Sequence, residues 1–110
     1  MNRITIAINK SDLASRRTAA IERKALESAF IFGDIIDVDL RYVDSISESY
    51  SDELFGVLVA KHGLEAFLEQ VKILNAKESI LKSIAKVIQR REHERKKPLK
   101  LKCYENLAMV

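Results

Sequence analysis

The chain has 110 residues, one domain's worth, and 47% of them are hydrophobic, enough for a single core that must be mainly aliphatic because there is no Trp. The net charge of +3 is unevenly spread: residues 1–81 carry ten Lys/Arg against thirteen Asp/Glu, and residues 82–110 carry nine against three. Basicity is therefore a C-terminal property, which excludes a whole-domain nucleic-acid footprint, and no apolar run approaches the roughly 20 residues that span a bilayer.

At the N-terminus, Arg3 to Ile8 alternates, with Ile4, Ile6 and Ile8 on one face, a half-buried strand rather than a signal peptide. Asn9 to Asp12 reads as a polar turn in which Ser11 or Asp12 caps a helix over Leu13–Phe30. The apolar stripe of that helix is expected on Leu13, Ala20 or Ile21, Ala25 and Ala29. Gly33-Asp34 ends it, and Ile36, Val38 and Leu40 then point inward from a second strand over 35–40.

The stretch Ser45-Ile-Ser-Glu-Ser-Tyr-Ser-Asp-Glu-Leu-Phe-Gly56 precedes a helix whose buried face is Leu54, Phe55, Leu58 and Val59, closed by His62-Gly63. Ser49, accepting from the Asp52 N–H, with Asp52 reaching back, would start it, and Asp52 and Glu53 suit the positive end of its dipole. Between residues 34 and 53 seven carboxylates face one cation, Arg41. So acidic a loop repels phosphate, and no nucleophile–base pair or Gly-rich loop accompanies it, so a non-enzymatic role is expected.

Residues 64–68 form a helical turn before a third strand, Val71–Leu74. Asn75 with Glu78 resembles a capping box, opening a helix with Ile80, Leu81, Ile84, Val87 and Ile88 inward. Beyond Ile88 the stripe stops. Pro98 is expected to terminate the helix. Leu99, Leu101 and Cys103 alternate with Lys100, Lys102 and Tyr104, which reads as a basic tail or edge strand over 98–110, separate from an α/β domain over 1–97. Arg90, Arg91, Arg95, Lys96, Lys97, Lys100 and Lys102 are the candidate anionic contact. Arg16-Arg17 opens the first helix, where its dipole disfavours cations, a hint of a further anionic contact.

One cysteine and two distant histidines, His62 and His93, offer neither an internal disulfide nor a zinc set, so no metal and no cofactor are expected. The setting expected is the reducing cytoplasm, with no membrane association.

Asp37-Val-Asp-Leu40, then Ser49, Tyr50, Asp52, Glu53, Phe55 and Gly56, then Lys72 and Asn75, resemble the bacterial STAS-like domains related to anti-sigma-factor antagonists. The resemblance covers roughly residues 34–90. It implies an α/β fold, a mixed sheet with helices packed on it. It also implies a regulatory protein–protein role with a kinase-type, histidine-kinase-like ATPase as partner, contacted through residues 45–56: Ser47, Glu48, Ser49, Tyr50, Asp52 and Glu53. In a gapless match Glu48 stands where antagonists carry the phosphoaccepting serine and Ser47 where they carry an aspartate, so the acceptor is not retained in that register; the resemblance implies either that Ser49 or Ser47 takes its place after a one-residue shift or that Glu48 mimics a constitutively charged state. Nucleic-acid association through residues 90–102 is the alternative.

Overall fold

Three β-branched stretches assemble the sheet. The computed structural model describes the backbone of residues 2–109 and the side chains of residues 2–96. Strands β1 (Arg3–Ala7), β3 (Ile35–Asp39) and β5 (Val71–Leu74) lie in the order β1-β3-β5, both pairs parallel. Ile4 sits beside Ile36, and Val38 lies between Ile6 and Ile73. The short strands β2 (Asp12–Leu13) and β4 (Ser45–Ile46) form a second parallel pair. Every described pairing is parallel, which refines the expected mixed sheet.

Successive right-handed crossovers stepping in one direction place their helices on one face of the sheet. Burial agrees: Ile36, Val38 and Leu40 are buried, whereas Thr5, Ala7 and Lys72 are exposed. The exception on the open face is Asp37, covered by a forked pair from Arg3 at 2.7 and 2.9 Å.

Helix α1 (Arg16–Ile31) begins three residues later than its sequence implies, because Leu13 is buried in the β2–β4 pair and Ser15 caps the helix by accepting from the Thr18 N–H. Its buried stripe is Ala19, Leu26, Ala29 and Phe30, while Ile21 and Ala25 face out. Burying Leu26 and Phe30 removes far more apolar area from water than burying two alanines, so the helix is rotated relative to the expected stripe.

Helix α2 (Glu48–Ser51), a π-helical turn (Asp52–Gly56) and α3 (Val57–His62) form one continuous rod, buried almost all round through Tyr50, Leu54, Phe55, Leu58 and Val59. Gly63 ends it with φ +91°, a conformation that other residues adopt only under strain. Helix α4 (Leu64–Gln70) follows, with Phe67 edge-on to Phe55 at 6.1 Å between centroids. The Gln70 amide ties α4 to the end of α1 by donating to the Phe30 and Asp34 carbonyls.

Three expectations change at the last helix. Asn75 does not cap it; it takes φ +58° and its amide donates to Asp39. Helix α5 (Glu78–Met109) instead starts beyond it, with the Leu81 N–H on the Lys77 carbonyl. Ile80, Ile84 and Val87 are buried, but Leu81 is exposed. Pro98 does not end α5, and residues 98–109 continue it in place of the expected edge strand or tail. A proline deletes one helical hydrogen bond, and the helix formers on both sides (Lys96, Lys97, Leu99, Lys100) favour continuation.

Candidate functional site

The stretch from Ser45 to Gly56 holds the last three carboxylates of the acidic run 34–53, Glu48, Asp52 and Glu53, and the fold brings cations to it from both sides. Ser47, not Ser49, caps the helix: its hydroxyl accepts from the Tyr50 N–H at 3.0 Å and donates to the Ala14 carbonyl at 3.0 Å. That second bond ties the cap to the segment after β2, which sequence spacing cannot show. Ser49 is left exposed and uninvolved in capping.

Asp52 does not reach back to Ser49 either. Its carboxylate is buried and lies in the fork of Arg91, with Nε at 2.8 Å and Nη2 at 2.7 Å, while Arg90 and Arg16 each approach to 3.6 Å. The Arg91 hydrogen bond and the surrounding guanidinium charge hold Asp52 below the usual carboxylate range, against the opposing effect of burial. Gly56 makes room for this pair, since a Cβ there would lie 2.5 Å from Asp52 Oδ1 and 3.1 Å from Arg91 Cγ. The π-helical turn spans these same residues, Asp52 to Gly56.

Neighbouring carboxylates are matched in the same way. Glu48, exposed in the first turn, pairs with Arg90 and lies 3.6 Å from Lys86, and the Arg90 hydrogen bond lowers its pKa. Glu53 accepts from Arg16 and Arg23, each at 3.1 Å. Arg23 also reaches Glu27, which bonds the His62 ring at 3.0 Å; the ring stacks on Phe30 at 4.8 Å. Burial pushes Glu27 upward, but His62, Lys61 and Arg23 outweigh it and leave the carboxyl below its ordinary value.

The acidic stretch and the basic helix, two outliers in the sequence, thus largely neutralise each other. Asp37 finds Arg3, Asp39 finds Arg41 and Asn75, and Asp44 finds Lys77. Arg16 answers the hint of an anionic contact within the molecule, through Glu53.

Of the six residues expected to form the contact surface, Glu48 and Ser49 are exposed, Ser47 and Glu53 are half-buried, and Tyr50 and Asp52 are buried. Tyr50 is a core residue whose hydroxyl has no protein partner among the described residues, and burial, with Glu22 nearby, pushes its pKa up to about 12. Of the seven basic candidates, Arg90 and Arg91 join the acidic stretch. Arg95 and Lys96 instead line a separate cavity of about 640 Å³ with His62, Gly63 and Glu92. Lys97, Lys100 and Lys102 lie outside the described side chains. Sequence reasoning missed Arg23, Glu27 and Lys86; the seven-residue step from Arg16 to Arg23 and the four-residue step from Lys86 to Arg90 are helix-face spacings that carried the signal.

A family model described as a STAS-like domain of unknown function matches residues 19–81, more than half the chain. The chain belongs to this family. The STAS-like match takes in most of α1, all of the acidic stretch and the start of α5. It stops before Arg90 and Arg91, so the cations that pair with Glu48 and Asp52 lie beyond the matched span. No curated protein and no solved structure matches the chain. Among the described residues, no helix is long and apolar enough to cross a membrane.

Proposed function

We propose that this STAS-like domain is a non-enzymatic regulatory module of the bacterial cytoplasm. It binds a partner protein, a kinase-type ATPase, through the surface around Ser47, Glu48 and Ser49, in the manner of an anti-sigma-factor antagonist. One observation carries the reading: Glu48 and Ser49 are exposed at a helix start whose next turn is anchored from within by the Asp52–Arg91 pair. A contact surface on a rigid base loses little conformational entropy on binding. Burial narrows that surface, because Tyr50 and Asp52 serve the fold, and Lys86 and Arg90 border it in their place. Glu48, in the register of a phosphoaccepting serine, supplies a fixed negative charge that Arg90 and Lys86 partly offset.

The test is copurification from the native host with mass spectrometry, followed by affinity measurement on the isolated partner. Glu48→Lys and Ser49→Asp are each expected to weaken binding about tenfold or more. Unchanged affinity in both variants would remove this surface from the proposal. The nucleic-acid alternative rests on the charge of residues 82–110, but Arg90 and Arg91 are already engaged by carboxylates. A mobility shift at low salt that weakens steeply with added salt is what it requires.

A further inference from the structure

A strand at the end of a parallel sheet bonds its neighbour through every second residue and turns the backbone of the others outward. The Ile35 N–H donates to the Asn2 carbonyl and the Ile8 N–H to the Asp39 carbonyl, so Asn2, Ile4, Ile6 and Ile8 face β3. The N–H and C=O groups of Arg3, Thr5 and Ala7 therefore point away from the sheet, and among the described residues none of them has a hydrogen-bond partner. Natural sheets guard such an edge with Pro, Lys or a bulge. Strand β1 has none of these: its register with β3 is unbroken, and its one charge, Arg3, is turned across the sheet onto Asp37. The opposite edge, β5, is shorter and carries an exposed lysine, Lys72.

We propose that the free edge of β1 pairs with β1 of a second copy of this chain, antiparallel about a twofold axis at Thr5, joining two three-stranded sheets into one. The pattern of the edge fixes this occupant. A register that sets Thr5 opposite Thr5 of the second copy also sets Arg3 opposite Ala7, and in both cases the opposed residues exchange two hydrogen bonds. Every outward N–H and C=O of Arg3, Thr5 and Ala7 is then satisfied in both copies, whereas sliding the register by two residues leaves Arg3 or Ala7 without a partner.

Side chains agree with the same register. Ile4 and Ile6 share the helix-covered face with Ile36 and Val38, yet they are only half-buried because β1 is the last strand of the sheet. In the pair Ile4 lies opposite Ile6 of the second copy at the closer, non-bonded spacing, which covers the flanks of both. On the open face the two Thr5 side chains meet, a favourable cross-strand pair, while the two Arg3 side chains lie at opposite ends of the ladder, about 13 Å apart along the strand. The contact is self-complementary, as an isologous interface must be, and an axis normal to the sheet keeps the helices of both copies on one face. Residues 3–7 precede the family-matched span 19–81, so the pairing belongs to this chain's own sequence.

One strand pair makes a small interface, so the dimer is reversible and concentration-dependent. Sedimentation equilibrium on the full chain, from roughly 10 to 500 µM, should show the mass rising from 12.5 kDa toward twice that value and no further. Thr5→Pro removes an N–H that the fold does not use and puts its ring on the edge, so it should weaken the dimer about tenfold or more. Thr5→Lys leaves the backbone intact but opposes two ammonium groups, and should weaken it about fivefold. Thermal unfolding verifies the fold of both variants. In a Cys103→Ser background, Thr5→Cys should give a disulfide-linked dimer with oxidised glutathione as the oxidant, because the opposed Cα atoms lie about 5.5 Å apart. Ala7→Cys, whose twin lies at the far end of the ladder, should not. A wild-type chain that remains monomeric at the highest concentration overturns the proposal. So does a dimer indifferent to both Thr5 substitutions, or cross-linking at Ala7 in place of Thr5. A mass that climbs past the dimer overturns it too, since β1 would then be pairing with β5 of the next copy.

Discussion

Asp52 and Arg91 close a forked pair across 39 residues of chain, at 2.8 and 2.7 Å, on the underside of a helix start whose upper side is exposed. The carboxylate is buried while the guanidinium keeps partial access to water, so the pair is stabilised by geometry more than by bulk charge.

Removing one partner leaves the other's charge uncompensated. Arg91→Ala is expected to lower stability by about 2–3 kcal/mol in urea unfolding, and Arg91→Lys to recover only part of it, because an ammonium cannot make the two parallel bonds. A loss within experimental error for Arg91→Ala would show that the pair contributes nothing net.

Gly56→Ala raises helix propensity, yet it is expected to cost about 2 kcal/mol, since its Cβ meets Asp52 Oδ1 at 2.5 Å. In an Asp52→Ala background the same substitution should be close to neutral. A double-mutant cycle that finds no coupling would assign Gly56 some other reason.

Stability should fall in acid with a definite sign. Asp52, Glu48 and Glu27 all have native pKa values below their ordinary ones. Groups depressed in the native state contribute fully above the unfolded values, about 3.9 for Asp and 4.3 for Glu, and lose that contribution as pH falls through the native values. Urea midpoints should therefore be flat above about pH 5 and drop below it, and Arg91→Ala should make the drop shallower. An equally steep drop in that variant would place the acid sensitivity elsewhere.

Tyr50 is 1% exposed, and its hydroxyl meets no protein partner among the described residues. Tyr50→Phe removes a desolvated polar atom while keeping the ring, so thermal unfolding should show stability unchanged or raised by up to about 1 kcal/mol. Marked destabilisation would reveal a hydrogen bond that the hydroxyl makes.

Much of the architecture was legible in the chain. Alternating isoleucines and valines mark β1 and β3 because a half-buried strand repeats every two residues, and Gly63 marks a helix end because few other residues take its φ. The acidic stretch was legible as a helix start, and Asp52, Glu53 and Gly56 as part of a family pattern, matched over residues 19–81. Local chemistry was not enough to choose the cap. Ser47 and Ser49 are equally good acceptors by type, and Ser47 prevails because the Ala14 carbonyl lies within its reach. Nor could spacing reveal that Asp37, Asp44, Glu48, Asp52 and Glu53 are answered by Arg3, Arg16, Arg23, Lys77, Arg90 and Arg91, residues roughly 30 or more positions away. Periodicity and propensity act within a few residues of chain, so the sequence alone determined the three main strands and the helices between them, while the inward face of α1 depended on what packs beside it and α5 runs on through Pro98. Charge pairing and cap selection act through space, so only the tertiary structure decided which residues of the helix start serve the fold and which, Glu48 and Ser49 foremost, remain exposed at its surface.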